Sequence, residues 1–198
     1  MDSFSGFHEA STVEVDLLTD AYRVSGTVLT RFERVTDILN QLTGSHLTVA
    51  HATISEHADP AATQAAPSVM VDIGTILVFA AHGLAASASS EMRVPKRPVR
   101  AQLALPPVRC TGTIHVANGS RPVDGLLNLT DRFLAMTDVT VESGAYPQLA
   151  RSADVIAIAR GRAQLMLVMD DERPDELLAD VLDERTAESW LRSDDSAG

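Results

Sequence analysis

Apolar and polar residues alternate over Val13, Val15 and Leu17, and again over Tyr22, Val24, Gly26 and Val28. A period of two puts every second side chain on one face of an extended chain, so Val13 to Leu29 predicts a half-buried strand pair with its turn near Thr19-Asp20. Thr36-Asp37 precedes Ile38, Leu39 and Leu42. Their side-chain oxygens can accept a first-turn amide, which predicts an N-capped short helix stopped by Gly44. Leu47 to Ile54 is the next strand, and Ser55 to Ser68, rich in Ala with Pro60 and Pro67, reads as a loop. Val69-Met70-Val71 and Ile76 to Phe79 then read as two strands across a turn at Asp72 to Thr75. The apolar window Ile76 to Ala86 is far shorter than the roughly 20 residues of a membrane helix and predicts a buried strand and its exit.

The pattern then returns. Tyr22-Arg23-Val24-Ser25-Gly26-Thr27-Val28 matches Val108-Arg109-Cys110-Thr111-Gly112-Thr113-Ile114 at a displacement of 86. Leu47 to Ile54 matches Leu134 to Val141 at 87, and Pro147 follows Pro60 at the same distance. Self-similarity at one fixed spacing reports architecture, here an internal duplication. The second half accordingly predicts a strand over Val108 to Val116, a turn at Asn118-Gly119, a short helix or turn over Val123 to Leu129, a strand over Phe133 to Val141 and a hairpin over Val155 to Val168. The expected organisation is an arm over 1–11, a first β-rich repeat over 12–86, a proline-bearing linker over 87–107, a second repeat over 108–169 and a tail over 170–198. The fold class is mainly β: two tandem small β-barrel or β-sheet units packed as a pseudo-symmetric pair. Four strands per unit are few for independent stability, so the halves are expected to share a core or complete each other's sheets.

The tail differs in kind. Asp170-Asp171-Glu172-Arg173-Pro174 is a helix start with acids in its first turn. Leu177, Leu178, Val181, Leu182, Trp190 and Leu191 follow on one stripe, which predicts an acidic amphipathic helix.

Composition narrows the partners. The chain of 198 residues is 45% apolar and carries 16 basic against 27 acidic residues, a formal charge of -11. That balance repels nucleic-acid phosphates and anionic membranes. The basic groups Arg93, Lys96, Arg97 and Arg100 form a single cluster. Cys110 is the sole cysteine, so no internal disulfide forms and an oxidising compartment is not indicated. Residues 1 to 9 lack a basic region followed by an apolar stretch, so no signal peptide is expected and the cytoplasm is the expected location.

Candidate chemistry is sparse. His46, His51 and His57 surround one strand, but 46 and 51 fall on opposite faces of a regular strand and no recognised metal spacing occurs. No nucleophile elbow, phosphate loop or dinucleotide fingerprint is present, and Cys110 lies mid-strand where a core thiol is inert. Arg34 with Asp37, and Arg121 with Asp124, recur at i,i+3 spacing and predict modest surface pairs. The alternative for these is a pair of related arginine sites for one anionic ligand.

Two resemblances bear on these residues. Gly112, Asp124 to Asn128, and Ile158-Ala159-Arg160-Gly161 ahead of the apolar strand Leu165 to Val168 resemble an Sm-like domain, a small bent β-barrel that binds single-stranded RNA. The resemblance covers roughly 60 residues and implies base binding at Asn128 and at the Arg160-Gly161 pair. Arg-Gly at a hairpin tip is also what turn geometry selects, and the first half, Asp72-Ile73-Gly74-Thr75, lacks the arginine. The repeat as a whole is similar to bacterial domains of unknown function with a G-T, D-x-L-N, T-D-V pattern, which implies no activity.

The expectation is a non-enzymatic protein-interaction or adaptor module without cofactor or metal. Its contact residues would be Leu178, Val181, Leu182 and Trp190, offered to a partner's groove as an amphipathic helix. The expected partner is an unidentified protein and no membrane, with nucleic acid disfavoured by the acidic charge and a homo-oligomer left open. The alternatives are an Sm-like RNA-binding protein acting through Asn128, Arg160 and Gly161, and a small-molecule-binding regulatory domain.

Overall fold

The computed structural model of the protein describes residues 10–84, 96–118 and 129–169. The first half contains β1 (Ser11–Leu18), β2 (Tyr22–Thr30), α1 (Val35–Asn40), β3 (His46–Glu56), β4 (Thr63–Asp72) and β5 (Val78–His82). The second contains β6 (Lys96–Leu105), β7 (Val108–Ala117), β8 (Phe133–Glu142), β9 (Arg151–Ala159) and β10 (Leu165–Val168). Single 3-10 turns lie at Ile73–Thr75, Pro147–Leu149 and Arg160–Arg162. All ten strands belong to one antiparallel sheet in the order β10-β6-β7-β8-β9-β5-β1-β2-β3-β4. The sheet is not closed, so β4 and β10 each have one neighbour among the described residues.

The alternating strands pair as their pattern requires. In the β1–β2 hairpin Val13 faces Val28 and Leu17 faces Val24, and all four side chains are buried in one core. β5 behaves differently. Ile76-Leu77-Val78-Phe79-Ala80 is apolar without alternation, and a strand of that kind needs cover on both faces. It therefore lies between β1, where Leu17 faces Phe79, and β9, where Phe79 faces Ala157. Val78 packs among Val108, Cys110, Ile156 and Ile158 of the second half. Phe79, on the opposite face, packs with Leu17, Phe133 and Ala157. The two halves thus share both cores through this strand.

α1 ties the same seam. Val35, Ile38 and Leu39 are its buried face. Asn40 Oδ1 accepts from the Phe133 backbone N–H (2.9 Å), and Asn40 Nδ2 donates to the Phe133 carbonyl (3.0 Å). Arg132 also donates to Leu39 O at 3.2 Å.

Several boundaries differ from the expectation. The helix starts one residue before Thr36: Arg34 is the N-cap with no side-chain cap bond, and the helix ends at Asn40 rather than at Gly44. The stretch 55–68 is not one loop, because β4 begins at Thr63. Pro67 is accommodated opposite His51, which is skipped between the Ala50↔Ser68 and Ala52↔Ala66 pairs. The linker expected over 87–107 contains β6 from Lys96, with Val99, Ala101, Leu103 and Leu105 buried at period two. Pro98 lies beyond the segment that β10 covers, where β6 has no second neighbour among the described residues and a missing N–H is tolerated. The expected arm includes the start of β1 at Ser11. Strands do flank Asp72 to Thr75, as expected, but β4 and β5 do not pair with each other, and the segment Val155 to Val168 is not the hairpin expected. β5 pairs with β1 and β9, and β10 pairs with β6. Among the described residues each half has five strands, β6 being the one added to the four segments expected in the second half. Gly119, the expected helix or turn within 123–128, and the tail helix lie outside the described residues.

Local geometry recurs at the spacing of the sequence match. The β2–β3 register shifts between Ser25 and Thr27, and the β7–β8 register between Thr111 and Thr113. The strands opposite carry positive φ at His51 (49°) and Asp138 (52°). These β-bulges bend the sheet. They bring backbone against Gly26, where an added Cβ would lie 2.6 Å from Ala50 O, and against Gly112, where it would lie 2.8 Å from Thr137 O. Gly26→Ala and Gly112→Ala are each expected to lower unfolding free energy by about 1–3 kcal/mol through overpacking, measured by urea titration. Equal losses within error at both positions are the expected result.

Candidate functional site

The seam between the halves carries a charged cluster. Asp16 on β1 accepts from Arg23 on β2 (Nε 3.1 Å, Nη2 2.8 Å) and from Arg151 Nη1 on β9. Burial pulls the Arg151 pKa below its ordinary value, against the attraction of Asp16. The hydrogen bond to Asp16 raises that of Arg23. Arg151 Nη2 is buried without a hydrogen-bond partner. Nearby in the core, burial pushes the Cys110 thiol up to about 12 despite Arg151, which makes it a poor nucleophile at neutral pH. Arg162, on the 3-10 turn after β9, reaches both Asp20 carboxylate oxygens (2.6 and 2.7 Å) and the Gly74 carbonyl (2.9 Å).

Beside this seam is a polar cleft of about 350 Å³, bordered by Arg23, Ser25, Glu56, His57 and Gln148. His57 is buried. Its Nε2 donates to Thr19 O (3.0 Å), its ring lies 5.6 Å from that of Tyr146, and Gln148 donates to its carbonyl (2.8 Å). Its Nδ1 is buried without a partner. A cleft of about 560 Å³ in the second half is bordered by Arg109, Glu142 and Pro147, which follow Arg23, Glu56 and Pro60 by 86 or 87 positions. Both clefts offer a guanidinium beside a carboxylate. A hydroxyl–imidazole pair occurs elsewhere, at the exposed Ser45 Oγ and His46 Nδ1 (2.8 Å). Among the described residues no carboxylate hydrogen-bonds to that ring, so the orienting group of a nucleophile–base–acid set is not in place there.

The open ends of the sheet are apolar. A groove of about 450 Å³ runs beside β4, bordered by Tyr22, Val24, Ile54, Val69, Met70 and Val71. Met70, Leu165 and Leu167 are exposed. Because apolar side chains there accompany backbone groups with no strand neighbour among the described residues, these edges are ready templates for pairing.

The expected site residues distribute unevenly. Arg160 and Gly161 lie on the 3-10 turn Arg160–Arg162 between β9 and β10. A Cβ at Gly161 would meet nothing within 4 Å, and its φ is not in the left-handed region. Turn geometry therefore does not demand glycine there, contrary to the expectation. Asn128, Leu178, Val181, Leu182 and Trp190 lie outside the described residues, as do Arg121 and Asp124. Arg34 and Asp37 meet through backbone only, Asp37 N–H donating to Arg34 O (3.1 Å). The strand holding His46 and His51 is not regular, since His51 is the bulged residue. Among the described residues no three His, Cys, Asp or Glu side chains gather as metal ligands. The edge residues Met70, Leu165 and Leu167 were legible as strand residues but not as exposed ones.

No family model, curated protein or solved structure matches the chain.

The charge cluster yields a direct contrast. Asp16→Ala leaves Arg151, with 19% of its side chain exposed, without its carboxylate, and is expected to cost about 3 kcal/mol. Arg23→Ala removes the solvent-facing partner and is expected to cost under about 1 kcal/mol. Urea unfolding of the two variants checks the order.

Proposed function

We propose that the protein is a non-enzymatic interaction module that binds protein partners through the free edges of its sheet. The observation that supports this reading is the alignment of exposed Met70, Leu165 and Leu167 with strand edges that lack a neighbour among the described residues. Backbone pairing would supply register, and the groove beside β4 would accept alternate side chains. The finer architecture belongs to the same proposal: the halves are copies of one five-strand unit, related by pseudo-symmetry. Recurrence of the bulge, the close-packed glycine and the Arg/Glu cleft at 86 or 87 positions supports it. The Sm-like reading remains the alternative, supported by a glycine beside Arg160 that the backbone does not require.

Affinity capture from native cytoplasmic extract tests the reading, with the intact chain, Met70→Arg, Arg160→Ala and a chain ending at Asp170. Introducing a charge at the edge would cost about 2 kcal/mol, so Met70→Arg is expected to reduce retained protein by about tenfold or more. Protein retained by Met70→Arg but lost on truncation would move the contact to Leu178, Val181, Leu182 and Trp190 and overturn the edge reading. Nucleic acid retained by the intact chain and lost in Arg160→Ala, with steep salt dependence, would establish the RNA alternative.

A further inference from the structure

The two edges without a strand neighbour among the described residues correspond to the two sides of a junction that the chain already contains once. At that junction β5 lies against β9, with Val78 facing Ile158 and Phe79 facing Ala157. Ala159 N–H donates to Leu77 O (3.0 Å). Shifting β5 forward by 87 positions gives Leu165, Met166 and Leu167 on β10 for Val78, Phe79 and Ala80. Shifting β9 back by 87 gives Val69, Met70 and Val71 on β4 for Ile156, Ala157 and Ile158. Each replacement keeps an apolar side chain.

Burial separates the two sets. Val78, Phe79 and Ala157 are 0% exposed, whereas Leu165 is 62% exposed, Leu167 47% and Met70 66%. The side chains also point consistently. Val78 and Ala80 enter a pocket that includes Val108, Cys110, Ile156 and Ile158. The corresponding positions in the first half, Tyr22, Val24, Val69 and Val71, border the groove beside β4. Val78–Ile158 becomes Leu165–Val71, a volume-conserving swap of the kind cores tolerate best, and the large–small Phe79–Ala157 pair becomes Met166–Met70, two flexible side chains that adapt to the space available.

The backbone is poised in the same way. Met169 N–H donates to Arg100 O (2.8 Å) and Ile73 N–H donates to Ser45 O (2.9 Å). Because donors alternate sides along an antiparallel strand, the Met166 and Met70 N–H groups point away from β6 and β3, toward the open edges. They occupy the places of the Phe79 and Ala157 donors in the internal junction.

We infer that β10 of one chain pairs with β4 of a second copy, Leu165 facing Val71 and Met166 facing Met70, so that copies assemble head to tail through a junction like the internal one. This rests on the reading of the sheet edges as the interaction surface and names the partner. The interface is heterologous: repetition closes a ring if the rotation allows and otherwise extends. The Arg162–Asp20 ion pair of the internal seam has no equivalent, since Thr75 and Pro106 stand 87 before and 86 after those residues. Assembly is therefore apolar and backbone-driven and is expected to vary little with salt.

The test is the solution mass of the full chain by light scattering and sedimentation over a concentration series. The expected mass is a whole multiple of 21.2 kDa, while Leu165→Glu and Met70→Arg alone remain single chains. An equimolar mixture of the two variants retains one sound junction, the β10 of Met70→Arg against the β4 of Leu165→Glu, and is expected to form a 1:1 dimer and nothing larger. A wild type that remains a single chain at every concentration overturns the inference. So does a self-associating wild type whose two variants fail to complement, because that identifies a symmetric interface. Conservative variants guard against misfolding: Val71→Cys and Leu165→Cys on separate chains are expected to cross-link on mixing, with buried Cys110 not competing. With both substitutions in one chain, an internal disulfide instead of linked chains would show closure within the molecule and would also overturn it. If no self-association occurs while Met70→Arg still loses a captured foreign protein, the edge reading survives and only the identity of the partner fails.

Discussion

The burial of β5 on both faces is the constraint around which this molecule is arranged. A run of five apolar residues from Ile76 to Ala80 cannot be an edge strand or a surface hairpin without leaving one face in water. Placing it between β1 and β9 supplies a neighbour on each side and a core on each face. That single placement makes one sheet of the two halves. It also explains why α1 docks on the β8 end through Asn40 and Phe133, and why charged groups at this seam, Asp16 with Arg151 and Asp20 with Arg162, join residues more than a hundred positions apart.

The bulges do the complementary work within each half. A long antiparallel sheet must bend to enclose a core, and an extra residue at His51 and at Asp138 bends it at the same place in both halves. The cost is a backbone approach so close that only glycine fits opposite, at Gly26 and Gly112. The motif that first reveals the internal match is thus the motif that shapes the sheet. Its physical requirement is lack of a side chain, not freedom of φ.

Much of the β architecture was legible because alternation survives in β1, β2, β3, β7 and β8. The misses have distinct causes. In β6, the alternation of Val99, Ala101, Leu103 and Leu105 was outweighed by Pro95 and Pro98, although proline is compatible with an uncovered strand segment. In β4, Pro67 and the small residues around it concealed a strand whose proline lies opposite a bulge. Apolar runs on either side of Arg160 suggested a hairpin, yet the 3-10 turn there sends the chain to a distant neighbour, as the turn at Ile73–Thr75 does between β4 and β5. Pairing between elements such as Asp16 and Arg151 has no local signature. Nor does exposure: Met70 and Ala157 occupy corresponding strand positions, yet only Ala157 has another described strand alongside and is buried.

An apolar edge strand that remains bare is a liability, and the internal β5–β9 seam displays how this sequence covers one. Hydrogen exchange at single amides addresses that equivalence most directly, comparing Phe79 and Ala157 with Met166 and Met70 over a dilution series of the full chain. The account predicts slow exchange at Phe79 and Ala157 at every concentration, and exchange at Met166 and Met70 that slows together as concentration rises. Fast exchange at Met166 and Met70 throughout, or protection there that does not change on dilution, would contradict it.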